Sequence, residues 1–414
     1  MTEKFNQLKI AICGHVDHGK STLIGRLLLD TRSLPKDKLK ELHVIGKTFG
    51  EATQLAHLSD HLKEERDRNI TIETTQVFFK TRQRPYCLID TPGHLEFIRN
   101  MLTGASQAEA ALLLIDINEG IAQQTYRHAY LLKLLALPNI ILLVNKMDLV
   151  NYSKTAFERI KNDLRELFLE LKIKTLHIIP TCALQGDNIS CSSKKMTWYQ
   201  GPHVLGALDA ISSPDNTITK QDLRLPVQDI YTINGKNIVV GRLAAGNIRQ
   251  GQEIAILPEG QITNVKTIEI FENKNTSATA GENIGLTLTT DISISRGNIL
   301  CTSESMPKKT TSFQGNIFWL SSQELVLGQT VTLHCSTQKI CCTVTNIIEA
   351  IDPTNLSIIK KNTQSLKQNQ AAIIEFILTT PAVLEKHCHV PELGRYTIEN
   401  NHELCGAGIV LSTT

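Results

Sequence analysis

Apolar and polar positions follow two textures along the chain, and the change falls near residue 215. Before it, short unbroken apolar runs alternate with longer stretches whose apolar residues recur every three or four positions. That is the pattern of a largely parallel sheet covered by helices on both faces. The runs at 8–13, 72–79, 85–90, 111–116, 139–145 and 177–180 are the candidate strands. A helix is predicted to open at Ser153, placing Phe157, Ile160, Leu164, Leu167, Phe168 and Leu171 on one face and Lys161, Asp163 and Glu166 off it. Thr75 to Phe79 and Tyr86 to Ile89 flank the polar turn Lys80-Thr81-Arg82-Gln83-Arg84, which predicts an antiparallel pair within the parallel sheet. Residues 31–71 carry no strand signal, and an excursion of that length is expected to hold short helices and to serve function. Another helix is expected near Gln123-Gln124-Thr125-Tyr126-Arg127, with His128 after it as a packed surface residue.

The cluster Ser212-Ser213-Pro214-Asp215-Asn216 has the composition of a linker, and helical periodicity stops there. Short β-branched runs such as Gln228–Ile233, Ile238–Gly241, Glu253–Leu257 and Thr263–Ile268 follow, separated by turns rich in Gly, Asn and Pro. This is the signature of antiparallel barrels. A second break at Ser303–Lys309 divides the series. The expected organisation is therefore an α/β domain over 1–215, a β-barrel over 216–308 and a second over 309–414.

Composition narrows the function classes. The 414 residues hold 43 Lys and Arg against 41 Asp and Glu, a net charge of +2 that gives no bulk electrostatic case for a nucleic-acid or membrane partner. Ten cysteines are spaced irregularly without a C-x-x-C pair, which suits reduced thiols better than a disulfide framework. Cys13 and Cys87 lie within apolar strands and are expected to be buried and inert. The polar start Met1-Thr2-Glu3-Lys4-Phe5 does not read as a signal peptide, and no apolar run approaches the ~20 residues that span a bilayer. A soluble, cytoplasmic protein is expected. His387-Cys388-His389 with His402 and Cys405 lacks zinc-site spacing, and alternate strand positions point to opposite faces.

The chemistry concentrates in three motifs. Gly14-His15-Val16-Asp17-His18-Gly19-Lys20-Ser21-Thr22 meets G-x-x-x-x-G-K-[ST] between an apolar strand and an amphipathic run, the context of a phosphate-binding loop. Glycines let the backbone close around phosphates, N–H groups of the loop and helix N-terminus face the anion, and Lys20 adds a positive charge. Ser21 offers a hydroxyl to Mg²⁺. Asp90-Thr91-Pro92-Gly93-His94 follows a strand, so Asp90 can hold Mg²⁺ through water and Gly93 can approach the γ phosphate. Asn145-Lys146-Met147-Asp148 ends another strand, where the Asp148 carboxylate can accept from both the ring N–H and the exocyclic amine of guanine. A site built that way rejects adenine.

With these motifs in this order, the chain resembles the translational GTPase superfamily. Within it the resemblance to the GTPase subunit of two-component sulfate adenylyltransferase is carried by Arg99-Asn100-Met101-Leu102-Thr103-Gly104-Ala105-Ser106 and Asn145-Lys146-Met147-Asp148-Leu149-Val150. Gly186-Asp187-Asn188-Ile189 and Trp198-Tyr199-Gln200-Gly201-Pro202 fit as well, and elongation factor 1-alpha is similar at those positions. The resemblance implies that Thr71 ligates Mg²⁺, that His94 positions the attacking water between Val16 and Ile70, and that Cys182, Ala183 and Leu184 contact guanine through backbone N–H groups. Asn69 and Cys182 depart from the Gly and Ser usual in the family. His15 and His18 match elongation factors, whereas sulfate-activating relatives often carry Ser and Asp there.

Two functions follow from the resemblance. In the first, GTP hydrolysis drives adenylyl sulfate synthesis from ATP and sulfate on a small ATP-pyrophosphatase-type partner subunit, in a heterodimer. In the second, the chain delivers aminoacyl-tRNA to the ribosome. Charges nearly balance over residues 216–414, whereas an RNA-gripping surface usually needs a basic excess, so the first is the expected function.

Overall fold

The computed structural model describes residues 7–15, 17–34, 75–90, 108–211, 219–233, 235–270, 273–274, 276–290 and 292–414. By internal contacts the chain forms two compact units, Met1–Lys133 with Leu137–Ser213, and Leu134–Ala136 with Pro214–Thr414.

The first unit is built on strands β1 (Leu8–Gly14), β2 (Thr75–Lys80), β3 (Pro85–Asp90), β4 (Ala110–Asp116), β5 (Asn139–Asn145) and β6 (His177–Pro180). They lie in the order β2-β3-β1-β4-β5-β6. Every neighbouring pair is parallel except β2 with β3, which is antiparallel in the register Phe78↔Cys87. The polar Lys80–Arg84 turn therefore makes the hairpin its sequence implies. Central strands are apolar on both faces because helices cover both: all seven residues of β4, Ala-Ala-Leu-Leu-Leu-Ile-Asp, are buried.

Helix α1 (Lys20–Asp30) buries Leu23, Ile24, Leu27 and Leu28, the i, i+1, i+4, i+5 stripe of an amphipathic helix. These residues join β1, β3 and β4 in one core. Helix α2 (Gln123–Leu135) runs well past the segment expected to be helical. His128 is buried within it at 3% exposure, which corrects its reading as a surface residue. The cause is that Ala129, Tyr130, Leu131 and Leu132 are buried in succession, so α2 shows no stripe for a sequence pattern to reveal. Helix α3 (Lys154–Glu170) begins where Ser153 caps it by accepting from the Ala156 N–H, and it buries Phe157, Ile160, Leu164, Leu167 and Phe168. A short helix α4 (Val204–Asp209) is capped by the His203 ring, which accepts from the Gly206 N–H at 3.0 Å.

In the second unit, strand Glu253–Leu257 pairs with both Ile299–Thr302 and Gln261–Ile270, closing a seven-stranded antiparallel sheet on itself. Strand Thr330–Cys335 does the same for another seven-stranded sheet by pairing with Gln338–Ile351 and Arg395–Asn400. Closure leaves few unpaired edges, and each barrel has its own apolar interior. A further cluster joins them: Ala244, Ala245, Ala255, Leu257, Ile299 and Cys301 of the first barrel pack with Val383, Val390 and Leu393 of the second. Beside it Arg224 donates through Nε and Nη2 to Glu385 Oε1, both at 2.9 Å. Among the described residues, no helix is long and apolar enough to cross a membrane.

Candidate nucleotide-binding site

Parallel strands end at the same edge of a sheet, so the residues at their C-terminal ends gather there. The register puts Ile12 beside Asp90, Gly14 beside Leu114 and Asp116 beside Asn145. Three motifs far apart in sequence thereby meet at one sheet edge.

The phosphate loop leaves β1 at Gly14, whose φ of 143° suits glycine. A Cβ there would also lie 2.7 Å from the Leu114 carbonyl oxygen. Gly19 caps α1 in the left-handed region at φ 96°, and its missing Cβ clears Asn145 Nδ2, which a side chain would meet at 2.5 Å. Lys20 Nζ reaches back across the loop to the carbonyl oxygens of Gly14 at 2.6 Å and His15 at 2.8 Å. Ser21 and Thr22 occupy the first turn of α1, where helical N–H groups have no partner inside the helix and face an anion favourably. Asp17 is exposed in the left-handed conformation at φ 65°.

His18 is held at 2% exposure between two acceptors. Its Nδ1 lies 2.9 Å from the Leu114 carbonyl oxygen and its Nε2 2.5 Å from Glu119 Oε2. His15 Nδ1 is 3.5 Å from the other oxygen of the same carboxylate. The hydrogen bond from His18, with the two imidazole rings close by, outweighs burial and holds the Glu119 carboxyl below its usual range.

On the base side, Asn145 ties two loops together. Its Nδ2 donates to the His18 carbonyl oxygen at 2.9 Å, while Oδ1 accepts from the Ala183 N–H at 3.0 Å and the Thr181 hydroxyl at 3.3 Å. Lys146, left-handed at φ 63°, pairs with Asp116 at 2.8 Å. Burial works to raise the Asp116 carboxyl, but Lys146 and the Asn118 N–H outweigh it and hold the group below its ordinary value. Asp148 opens toward the loop after β6, where Cys182 Sγ lies 3.1 Å from its Oδ1. Burial, with the Asp148 carboxylate nearby, pushes the Cys182 thiol up to about 11. It therefore stays protonated near neutral pH and can donate to Asp148 as a hydroxyl would. Ala183 is buried behind it, and the Leu184 carbonyl accepts from Arg26 at 3.4 Å.

The site thus brings together His15, Asp17, His18, Gly19, Lys20, Ser21, Thr22, Asp90, Asn145, Lys146, Asp148, Cys182, Ala183 and Leu184 along one sheet edge and the loops that follow it. Val16, Thr71, Gly93 and His94 lie outside the described residues, as do Asn69, Ile70 and Arg99–Ser106. Sequence reasoning did not single out Asp116, Glu119 or Thr181, which orient Lys146, the two histidines and Asn145. Their only sequence signal is an acidic or hydroxyl residue at or just beyond the end of an apolar strand.

A glycine loop joining a parallel strand to a helix N-terminus, with a carboxylate at the neighbouring base loop, defines an α/β nucleotide-binding protein. Residues 6–233 match the Elongation factor Tu GTP binding domain, and residues 312–411 match the GTP-eEF1A C-terminal domain-like family. The chain belongs to the elongation factor Tu GTP-binding family, the translational GTPases, and it is a GTP-binding protein. It is 36% identical over 425 residues to proteins named elongation factor 1-alpha from Pyrococcus horikoshii and Thermococcus celer, covering 100% of this chain and 99% of each relative. The elongation factor 1-alpha of Archaeoglobus fulgidus is 36% identical over 421 residues, with the same coverage.

These full-length relatives overturn the expectation of a sulfate adenylyltransferase GTPase subunit. The nucleotide motifs could not separate the two branches, because both read the same ligand with the same groups. Total charge was a poor arbiter, since it does not record where on a barrel the charges lie. The histidines at 15 and 18, read as a departure from the sulfate-activating pattern, pointed the right way. The small ATP-pyrophosphatase-type partner was expected only as part of that activity.

Proposed function

We propose that this chain is a translation elongation GTPase of the elongation factor 1-alpha type, which binds GTP with Mg²⁺ and carries aminoacyl-tRNA to the ribosome. The observation that carries this reading is likeness along the whole chain, barrels included, to proteins of that name. A likeness confined to the GTP domain would fit any member of the superfamily.

On this reading Lys20 and the N–H groups from His18 to Thr22 take the β and γ phosphates, and Asp148 takes the guanine base. Cys182, Ala183 and Leu184 line the base through their backbone N–H groups. Ser21 and Asp90 fit a magnesium ion, because a hydroxyl in the first turn of α1 and a buried carboxylate at the tip of β3 are both hard oxygen donors. Thr71 is proposed as a further oxygen ligand. When bound, the ion supplies positive charge against the β and γ phosphates. His94 is proposed to orient the attacking water, a contribution of roughly 10² or more to the rate.

The test follows spontaneous deacylation of aminoacyl-tRNA mixed with the purified chain. Protection in GTP and its loss in GDP are expected. Equal decay with and without the protein, at concentrations where GTP is bound, would reject the carrier role while leaving the GTPase standing.

A further inference from the structure

We propose that His15, His18 and Glu119 form a site for a transition-metal cation such as Zn²⁺, separate from the hard-oxygen Mg²⁺ position. Their ligating atoms all lie within 4.8 Å of one another, and among the described residues theirs is the one group of this kind. Two imidazoles and a carboxylate suit zinc, cobalt or nickel; magnesium prefers an all-oxygen shell.

The arrangement of protons around His18 adds an independent reason. The Leu114 carbonyl can only accept, so Nδ1 carries the hydrogen in the 2.9 Å contact. Nε2 then turns toward Glu119 Oε2, 2.5 Å away. A lone pair cannot face a carboxylate at that range unless something positive sits between them. A hydrogen satisfies the pair at this distance, and a divalent cation does so once the Glu119 carboxylate has drawn back. Metal-binding histidines commonly donate their other N–H to a backbone carbonyl, which fixes the tautomer and the ring. His18 is already held that way, and burial at 2% exposure leaves the ring little freedom.

A small adjustment brings the carboxylate to the distances that zinc requires. Zinc bonds of about 2.0–2.2 Å place tetrahedral ligand atoms roughly 3.3 Å apart. The His18–Glu119 and His15–Glu119 separations, 2.5 and 3.5 Å, lie on either side of that value. The Glu119 side chain is 40% exposed, so its carboxylate can withdraw the fraction of an ångström required. Asp116 does not compete as a ligand, because Lys146 and the Asn118 N–H already occupy it. The His15 and Glu119 side chains are both partly exposed, so an ion can reach them from solvent. Three protein ligands leave a fourth position open.

The experiment titrates the full-length, nucleotide-bound protein with Zn²⁺ against a chromogenic chelator, and separately with Co²⁺ in the visible. One ion per chain and a Co²⁺ spectrum of nitrogen and oxygen ligation are expected. Glu119→Gln and His15→Ala should each weaken Zn²⁺ binding by at least about 10-fold, the smallest loss that even an outer-shell partner typically causes. Both side chains are partly exposed, so these variants avoid the folding risk of replacing buried His18. Replacing the exposed Cys191, Cys341 and Cys388 with Ser should leave the stoichiometry at one. Absence of binding, unchanged affinity in the two variants, or a thiolate-to-cobalt charge-transfer band would each overturn the proposal.

Discussion

Cys182 donates to Asp148, the carboxylate proposed to meet guanine, and so supplies a donor where the family usually has the hydroxyl of Ser. Its thiol, pushed up to about 11, stays a donor at neutral pH and can hold the Asp148 side chain in place. Selectivity should therefore rest on Asp148 itself. Asp148→Asn replaces one acceptor with a donor, and each charge-assisted hydrogen bond lost costs about 1.5–3 kcal/mol. GTP affinity is expected to fall by roughly ten- to a hundredfold, while xanthosine triphosphate, which offers an oxygen in place of the exocyclic amine, gains. Parallel titrations of both nucleotides check this, and an unaltered preference for GTP would remove Asp148 from the base site. At this scale the phosphate loop and Asn145–Asp148 were legible, because each is a contiguous run of chemically demanding residues. Glu119 was not. It acts on a histidine 101 positions away, and nothing local marks that pairing.

Among the elements, legibility followed how many faces each one buries. Helix α3 has a solvent side, so its apolar stripe stood out from Phe157 to Leu171. Helix α2 buries five consecutive residues from His128 to Leu132, and its extent was missed. The β2–β3 hairpin could be read because a polar turn interrupts two apolar runs, whereas α4 is only six residues long and capped by an atypical His203. The stripe on α3 also sets a stability expectation. Leu164 is fully buried, and Leu164→Ala deletes packed methyl groups that the surrounding core cannot fully replace, at a cost of about 2–5 kcal/mol. A lowered denaturant midpoint of the first unit would register this loss. A midpoint within error of the parent would mean that the α3 face is not part of a close-packed core.

For the molecule as a whole, turn composition and β-branched runs gave two barrels, but the sequence offered no sign of the contact between them. Arg224 and Glu385 are separated by 161 positions and joined by paired hydrogen bonds, with Arg224 Nη1 also reaching the carbonyl oxygens of Leu223 and Ser305. Removing one member leaves the other charge in a poorly hydrated place, so Glu385→Ala is expected to destabilise the second unit by about 3 kcal/mol. Thermal melting should show it, and replacing Arg224 with Met in the same chain should recover part of the loss. A melting point insensitive to Glu385→Ala would mean that water already screens the pair. The apolar cluster beside this bridge bears on modularity. If the chain were severed between Thr302 and Lys309, each half would present a fresh oily surface, Ala255, Leu257 and Ile299 on one side and Val383, Val390 and Leu393 on the other. A chimaera that exchanges one barrel for a homologue's inherits a mismatched seam, so the unit for recombination is the pair, transplanted together from the linker onward.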